Sequence, residues 1–375
     1  MHRRHFGVIT IIIIAAGSLF SQESTSLSLE QCIQRALTEN PGFNAAEYQV
    51  DESQTRVREA RSALYPTVNF NTGARQYPIE DNPGAPDESY TAGMTARYTL
   101  FDGFRRTNSV EAARSGYRAE EMRLQSNRDD LVFQVTQAYY RLWQAGELVR
   151  VAEQSLERAR LHLEYAETRF ETGLATRSDI LKARVEVSNA QLVLTRARNG
   201  QQTAAARLNV LMGIPAHQSI SIKGASEATK NSSADDSAAP NLLAERLTAQ
   251  AFRHRPDLQM VEQQIRAQEA SLGATRSEYF PTLLLESNYT TSGTTPAEME
   301  PASSSYVGLN LSVPLFTGFR QSAQVQRESL ALQRLQQERQ QVRDRVGEEV
   351  WNAYLSMKEA RERIANTEIL YDNAD

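Results

Sequence analysis

The feature that most constrains this chain is that it is written twice. At a constant offset of 215 residues, Pro41 returns as Pro256, and Tyr65 and Pro66 return as Phe280 and Pro281. Leu100, Phe101, Gly103, Phe104 and Arg105 return as Leu315, Phe316, Gly318, Phe319 and Arg320, and Ala138 and Tyr139 as Ala353 and Tyr354. The match runs without a gap, so one structural unit is built two times.

The copies span residues 23–213 and 241–375. Residues 214–240 between them are rich in Ser, Ala, Asp and Lys and read as a surface connector. Copy one continues through a helical stretch to Met212, whereas copy two reaches only Asp375, the counterpart of Arg160. The expectation is therefore a longer polypeptide, extended by at least ~50 residues equivalent to 161–212.

Within copy one, residues 103–212 read as a long helical hairpin. Leu131, Val135, Ala138, Leu142, Ala145, Val149, Ala152, Leu156, Ala159, Leu163, Ala166 and Phe170 alternate spacings of four and three, which is a heptad seam. Beyond Gly173 the seam resumes through Ile180, Ala183, Val187, Ala190, Leu194 and Ala197, with Gln201 its polar member. In copy two the helix from 318 carries Val346, Val350, Ala353, Met357, Ala360 and Ile364 in the same phase. Large residues alternate with alanine, so each large side chain can fill the hole opposite a small one. A helix from Arg105 to Glu171 would be roughly 100 Å long at its standard rise, far more than a globular core requires.

Each copy also holds two segments of period two, 67–77 with 90–100 and 282–292 with 305–315. Val68 and Phe70 share a face, as do Ala92, Met94, Ala96, Tyr98 and Leu100; Leu283 and Leu285, then Val307, Leu309, Leu311, Val313 and Leu315, repeat the pattern. The opposite faces carry Asn69, Asn71, Thr91, Thr95, Asn310 and Ser312. Strands of about ten residues with one apolar and one polar face are the signature of a membrane β-barrel. Tyr77, Tyr90, Tyr289 and Tyr306 lie where an aromatic girdle would sit. Pro66 and Pro281 end the incoming helices, because proline lacks the amide and restricts the residue before it. Gly103 and Gly318 permit the turn back into helix.

Residues 1–22 read as a secretory signal: His2, Arg3, Arg4 and His5 form a basic head, Phe6–Ala16 an apolar run too short to span a bilayer, and Gly17, Ser18 and Ser21 a small-residue exit. Cys32 is the sole cysteine, so no intramolecular disulfide is available, and it reads as a small buried hydrophobe. With 41 Lys plus Arg against 46 Asp plus Glu there is no basic footprint for nucleic acid. His2, His5, His162, His217 and His254 show no metal-ligand spacing, and neither a nucleophile elbow nor a phosphate loop is present, which argues against an enzyme and against a cofactor. Four strands cannot close a barrel, and open edges in lipid cost several kcal/mol per unsatisfied group, so closure needs more than one chain. The competing reading is a periplasmic coiled-coil adaptor or scaffold, which would not need two matched strand pairs.

Leu29, Glu30, Ala36 and Leu37 before Asn40 and Pro41, the duplicated aromatic-Pro and the duplicated Leu-Phe-x-Gly-Phe-Arg together resemble the TolC-like outer membrane efflux family. So does the tip formed by Arg169, Phe170, Gly173, Leu174, Asp179, Ile180 and Leu181. The resemblance extends over residues 27–375. It implies a mainly α protein with membrane β-strands: antiparallel coiled-coil hairpins in the periplasm and four strands per chain in an outer-membrane barrel, twelve in a homotrimer. It also implies a passive exit duct for tripartite efflux or type I secretion, served by a periplasmic adaptor and an inner-membrane pump. Gly173 and Leu174 then look like the adaptor-contacting turn and Asp179 like a gate residue bonding a neighbouring hairpin. The local alternative for Asp179 is a first-turn acid serving its own helix, since Thr176 and Ser178 precede it.

Overall fold

The computed structural model describes residues 26–76, 88–224, 240–295 and 304–372. The secretory segment, Tyr77 with most of the loop after it, residues 296–303 and most of the connector lie outside them. The elements in chain order are α1 (Leu29–Glu39), α2 (Pro41–Ser62), β1 (Thr67–Gln76), β2 (Glu88–Phe101), α3 (Arg105–Glu171), α4 (Arg177–Leu211), α5 (Pro240–His254), α6 (Pro256–Arg276), β3 (Thr282–Gly293), β4 (Ser304–Ser312) and α7 (Arg320–Asp372). The chain divides into two compact units, Met1–Ala36 with Val135–Thr229 and Leu37–Gln134 with Lys230–Asp375.

In the first unit the second half of α3 pairs with α4. Ala152, Leu156 and Leu194 are buried together, with Val149, Val187, Ala190 and Ala197 packed against them. Gln201, the polar interruption of the seam, brings its amide nitrogen to 3.4 Å from where a Cβ on Gly146 would stand, so the missing side chain of Gly146 accommodates it. Exposed ion pairs flank the hairpin, Arg184–Glu167 at 3.0 Å and Arg198–Glu153 at 2.9 Å. Such pairs contribute about 0–1 kcal/mol, so the apolar seam carries the packing.

The same unit corrects the connector. Gly213 has φ 72, its amide bonds to the Val210 carbonyl at 3.2 Å, and the amide of Ile214 bonds to that of Asn209 at 2.9 Å. This is a Schellman closure of α4, which brings Ile214 back onto the helix and buries it. Ile222 then bridges to Leu27, and the Tyr139 hydroxyl donates to the Lys223 carbonyl at 2.7 Å. The connector therefore begins as packed chain. Cys32 is fully buried, which pushes its thiol up to about 11.

In the second unit the strands form one antiparallel sheet of order β1-β2-β3-β4. The two hairpins obey the repeat: the β1–β2 ladder ends at Thr67↔Arg97 and the β3–β4 ladder at Thr282↔Ser312, each residue displaced by 215. The expected end of the last strand at 315 is thus corrected to Ser312. Its counterpart β2 runs on to Phe101 because β3 pairs with it there. Below the sheet, Leu258, Val261, Ile265 and Leu272 of α6 are buried, and Val346 of α7 is fully enclosed.

Leu156→Ala is expected to destabilise the hairpin by about 2–5 kcal/mol through the cavity it opens. Glu153→Ala, which breaks an exposed pair, should cost under about 1 kcal/mol. Denaturant unfolding followed by the helical circular dichroism signal separates the two.

Candidate functional site: the hairpin tip and the strand–helix corners

The tip joins α3 to α4 through Thr172–Thr176 and is made almost entirely of backbone capping. Gly173 takes φ 75, its amide bonds to the Phe170 carbonyl at 2.9 Å, and the Leu174 amide reaches Arg169 at 2.8 Å. That is a second Schellman closure, satisfying the last carbonyls of α3. Leu174 is consequently turned outward, 69% exposed.

On the other side, Thr176 and Asp179 form a capping box. The Asp179 amide donates to Thr176 Oγ1 at 3.3 Å, while Asp179 Oδ2 accepts from the Thr176 amide and hydroxyl, both at 2.8 Å. These bonds, first from the Thr176 backbone and then from its hydroxyl, hold the Asp179 carboxyl below the usual carboxylate range, with Lys182 and Arg169 adding to the effect. The first-turn role expected as the local alternative is thus what the geometry shows of Asp179. Beside it, a groove of about 410 Å³ is lined by His162, Tyr165, Arg169, Leu174, Lys182 and Glu186 among others. The Arg169 guanidinium lies 5.6 Å from the centroid of the Tyr165 ring.

The corners belong to the second unit. After Pro66 and Pro281 the chain enters β1 and β3; after Gly103 (φ 65) and Gly318 (φ 61) it re-enters helix. The glycines do not make the bend alone. Phe104 and Phe319 are also left-handed, at φ 68 and 62, a conformation costly for bulky residues. Each ring meets the preceding aromatic edge-on, Phe101–Phe104 at 6.0 Å and Phe316–Phe319 at 5.6 Å, which offsets part of that cost.

The residue that ties the first corner together went unseen in the sequence. Arg106 Nε donates to Asp102 Oδ2 at 2.9 Å, and its two terminal nitrogens donate to the Ala63 carbonyl at 3.2 Å and the Thr99 carbonyl at 2.6 Å. It thereby joins the end of α2, the end of β2 and the start of α3. The repeat places Gln321 at the equivalent position, where its amide donates to the Glu278 carbonyl at 2.7 Å, and Thr317 in place of Asp102 donates to Gln321 Oε1 at 3.2 Å. Glu278 is itself the counterpart of Ala63. The role is conserved between copies and the identity is not, so searching for identical residues at the offset passes over it.

The sheet separates its faces as expected, with one correction. Tyr306 was assigned to the aromatic girdle, but it pairs with Asn288 in register and therefore lies on the polar face. Its hydroxyl donates to Glu286 Oε1 at 2.5 Å, and Arg97 Nε donates to the other carboxylate oxygen at 2.6 Å. A polar triad thus crosses β2, β3 and β4. Val68, Phe70, Met94, Val307, Leu309 and Leu311 are all exposed. Among the described residues no helix is long and apolar enough to cross a membrane, so membrane contact would fall to this sheet.

Arg106→Ala is expected to cost about 3–5 kcal/mol, because it strands a buried carboxylate and two carbonyls. The double change Asp102→Thr with Arg106→Gln, which imports the chemistry of the second corner, should recover most of that loss in a thermal melt. At the tip, Thr176→Ala is expected to cost about 1 kcal/mol and to speed hydrogen exchange in the first turn of α4. Because the folded-state carboxyl of Asp179 is depressed, its contribution is complete above the unfolded carboxylate value of about 4 and fades as pH falls through the folded one. Exchange in that turn should therefore accelerate on acidification in the native chain and lose this pH response in Asp179→Asn.

The profile of the outer membrane efflux protein family matches residues 32–214 and 247–375. The chain is 23% identical over 364 residues to the outer membrane efflux protein BepC of Brucella suis biovar 1 (strain 1330), across 96% of this chain and 76% of that protein. It is 25% identical over 304 residues to the probable outer membrane lipoprotein SilC of Salmonella typhimurium, across 79% of this chain and 62% of that protein. Its fold superposes on the outer membrane protein VceC of Vibrio cholerae with a TM-score of 0.75 at 18% identity, across 91% of this chain and 81% of that one. The profile runs through both copies of the repeat, which displaces the scaffold alternative: the chain belongs to the outer membrane efflux protein family, TolC-like outer-membrane efflux channels that are not enzymes.

Proposed function

We propose that this chain supplies one third of a homotrimeric duct, a passive exit path from periplasm to exterior fed by an inner-membrane pump through a periplasmic adaptor. The observation that carries the reading is the sheet: four strands in sequential order, one face apolar and exposed, the other polar, and both outer strands without a neighbour. Such a sheet is unstable in hydrocarbon until its edges are paired, and three copies would give twelve strands, within the range of known barrels. The polar triad of Arg97, Glu286 and Tyr306 would then line the interior.

In this reading the tip is the periplasmic end. Leu174, held outward by the turn at Gly173, offers an apolar contact to an adaptor hairpin. Asp179 keeps its carboxylate ionised at neutral pH, which makes it available to a donor on a neighbouring hairpin as a closing contact. The two roles of Asp179 are compatible, because its capping bonds use a single carboxylate oxygen.

The test is the purified full chain in planar bilayers, with its native mass measured in detergent. Trimers with discrete conductance steps are expected, and Asp179→Ala should raise the conductance if the carboxylate helps to close the end. A protein that inserts without conducting would exclude the duct, and an unchanged conductance in Asp179→Ala would remove that residue from the gate.

A further inference from the structure

The internal repeat allows each contact in copy one to be sought in copy two, and one contact has lost its partner. Gly103 sits in a tight seat: a Cβ there would stand 2.7 Å from Phe280 Cβ and 2.9 Å from the Ser277 carbonyl oxygen. Gly318 is its counterpart, with nearly the same left-handed backbone, yet nothing lies within 4 Å of where its Cβ would be. The counterpart of Phe280 is Tyr65, at the head of β1, and it is 70% exposed. A seat and the ring that would fill it are both present, at opposite edges of the sheet.

The strands give the same answer independently. Both hairpin ladders stop at equivalent residues, Arg97 and Ser312, and only β2 continues, because β3 pairs with Tyr98, Thr99 and Phe101. Val313–Phe316, the equivalent stretch, has no such neighbour and leaves the strand. Leu315 and Phe316 are then 92% and 76% exposed, against 45% and 39% for Leu100 and Phe101.

We infer that the β4 edge with its Gly318 corner is a docking surface for β1 and Tyr65 of a second copy of this chain, in a register that the β2–β3 seam already encodes. Displacing Arg97↔Glu286 by the repeat offset sets Ser312 opposite Asn71 of the second copy, Leu311 opposite Thr72, and Leu309 opposite Ala74. The irregularity between Thr99 and Phe101 carries over too, setting Phe316 opposite Val68. Val313–Phe316 becomes strand on docking, and Tyr65 closes over Gly318 as Phe280 closes over Gly103. Pro314, the counterpart of Thr99, lacks an amide and makes that last stretch the weakest part of the ladder. The contact is head-to-tail, so it repeats around a ring until the sheet closes.

This inference rests on the oligomeric reading above, and the experiment separates the two. In the full chain carrying Cys32→Ala, Leu311→Cys is combined in turn with Thr72→Cys, Phe70→Cys or Ala74→Cys, and each protein is oxidised in outer-membrane vesicles. All three partners share one face, and only a directly opposed pair brings the Cα atoms within the usual disulfide reach of about 4.4–6.8 Å. A ladder of multiples of the chain mass on a non-reducing gel is expected for Thr72, and its loss for Phe70 and Ala74. If the Thr72 variant fails to assemble, Leu309→Cys with Ala74→Cys tests the same register. Strongest cross-linking at Phe70 or Ala74, or none in a protein that is oligomeric by native mass, overturns the interface and leaves the oligomer standing. A native mass of one chain overturns both.

Discussion

Backbone amides and carbonyls placed in hydrocarbon have no water to turn to, so each must find a partner within the protein. That constraint organises the second unit. It demands strands that pair along their full length, which is why four segments of period two join in one antiparallel sheet despite lying far apart in sequence. It also makes the two outer strands the least satisfied part of the unit, since a membrane leaves no solvent to blunt them. The apolar face can be left exposed, because lipid accepts it; the free edges cannot.

The corners show how one backbone problem is solved with two chemistries. Both copies leave the sheet through consecutive left-handed residues, a glycine and then a phenylalanine. In the first copy a buried ion pair between Asp102 and Arg106 clamps the corner to the ends of α2 and β2. In the second, Thr317 and Gln321 do the equivalent work with neutral groups. A buried ion pair bears a desolvation cost that a neutral pair avoids, but its guanidinium reaches three acceptors where the amide of Gln321 reaches one. The charged version sits at the seam between β2 and β3, where the structure holds two strand pairs together, and the neutral one at the edge.

The helical tip depends on capping rather than on burial. Gly173 and the Thr176–Asp179 box complete the ends of two long helices within five residues, leaving Leu174 and the neighbouring groove facing outward. A turn whose own bonds are all satisfied internally is rigid without a core beneath it, and so can present side chains to a partner.

Much of this was legible in the sequence, because it depends on period and on residue type. The spacing of Leu156, Ala159 and their neighbours identified the seam, the alternation through Met94 and Leu309 identified the two-faced strands, and the offset of 215 identified the repeat. What the sequence alone could not decide was set by contacts between residues distant along the chain. Tyr306 was read as a membrane-girdle residue until the register placed it opposite Asn288 and beside Glu286. Ile214 was read as connector because burial there comes from a helix closure that composition does not reveal. Arg106 had no visible role because its importance lies in three acceptors from separate elements. The end of β4 at Ser312 depended on which strand stands beside it, and a strand exists only as far as its neighbour does. Periodicity is local and survives in one dimension; pairing, register and buried hydrogen bonds are relations between segments, and only the folded chain brings them together.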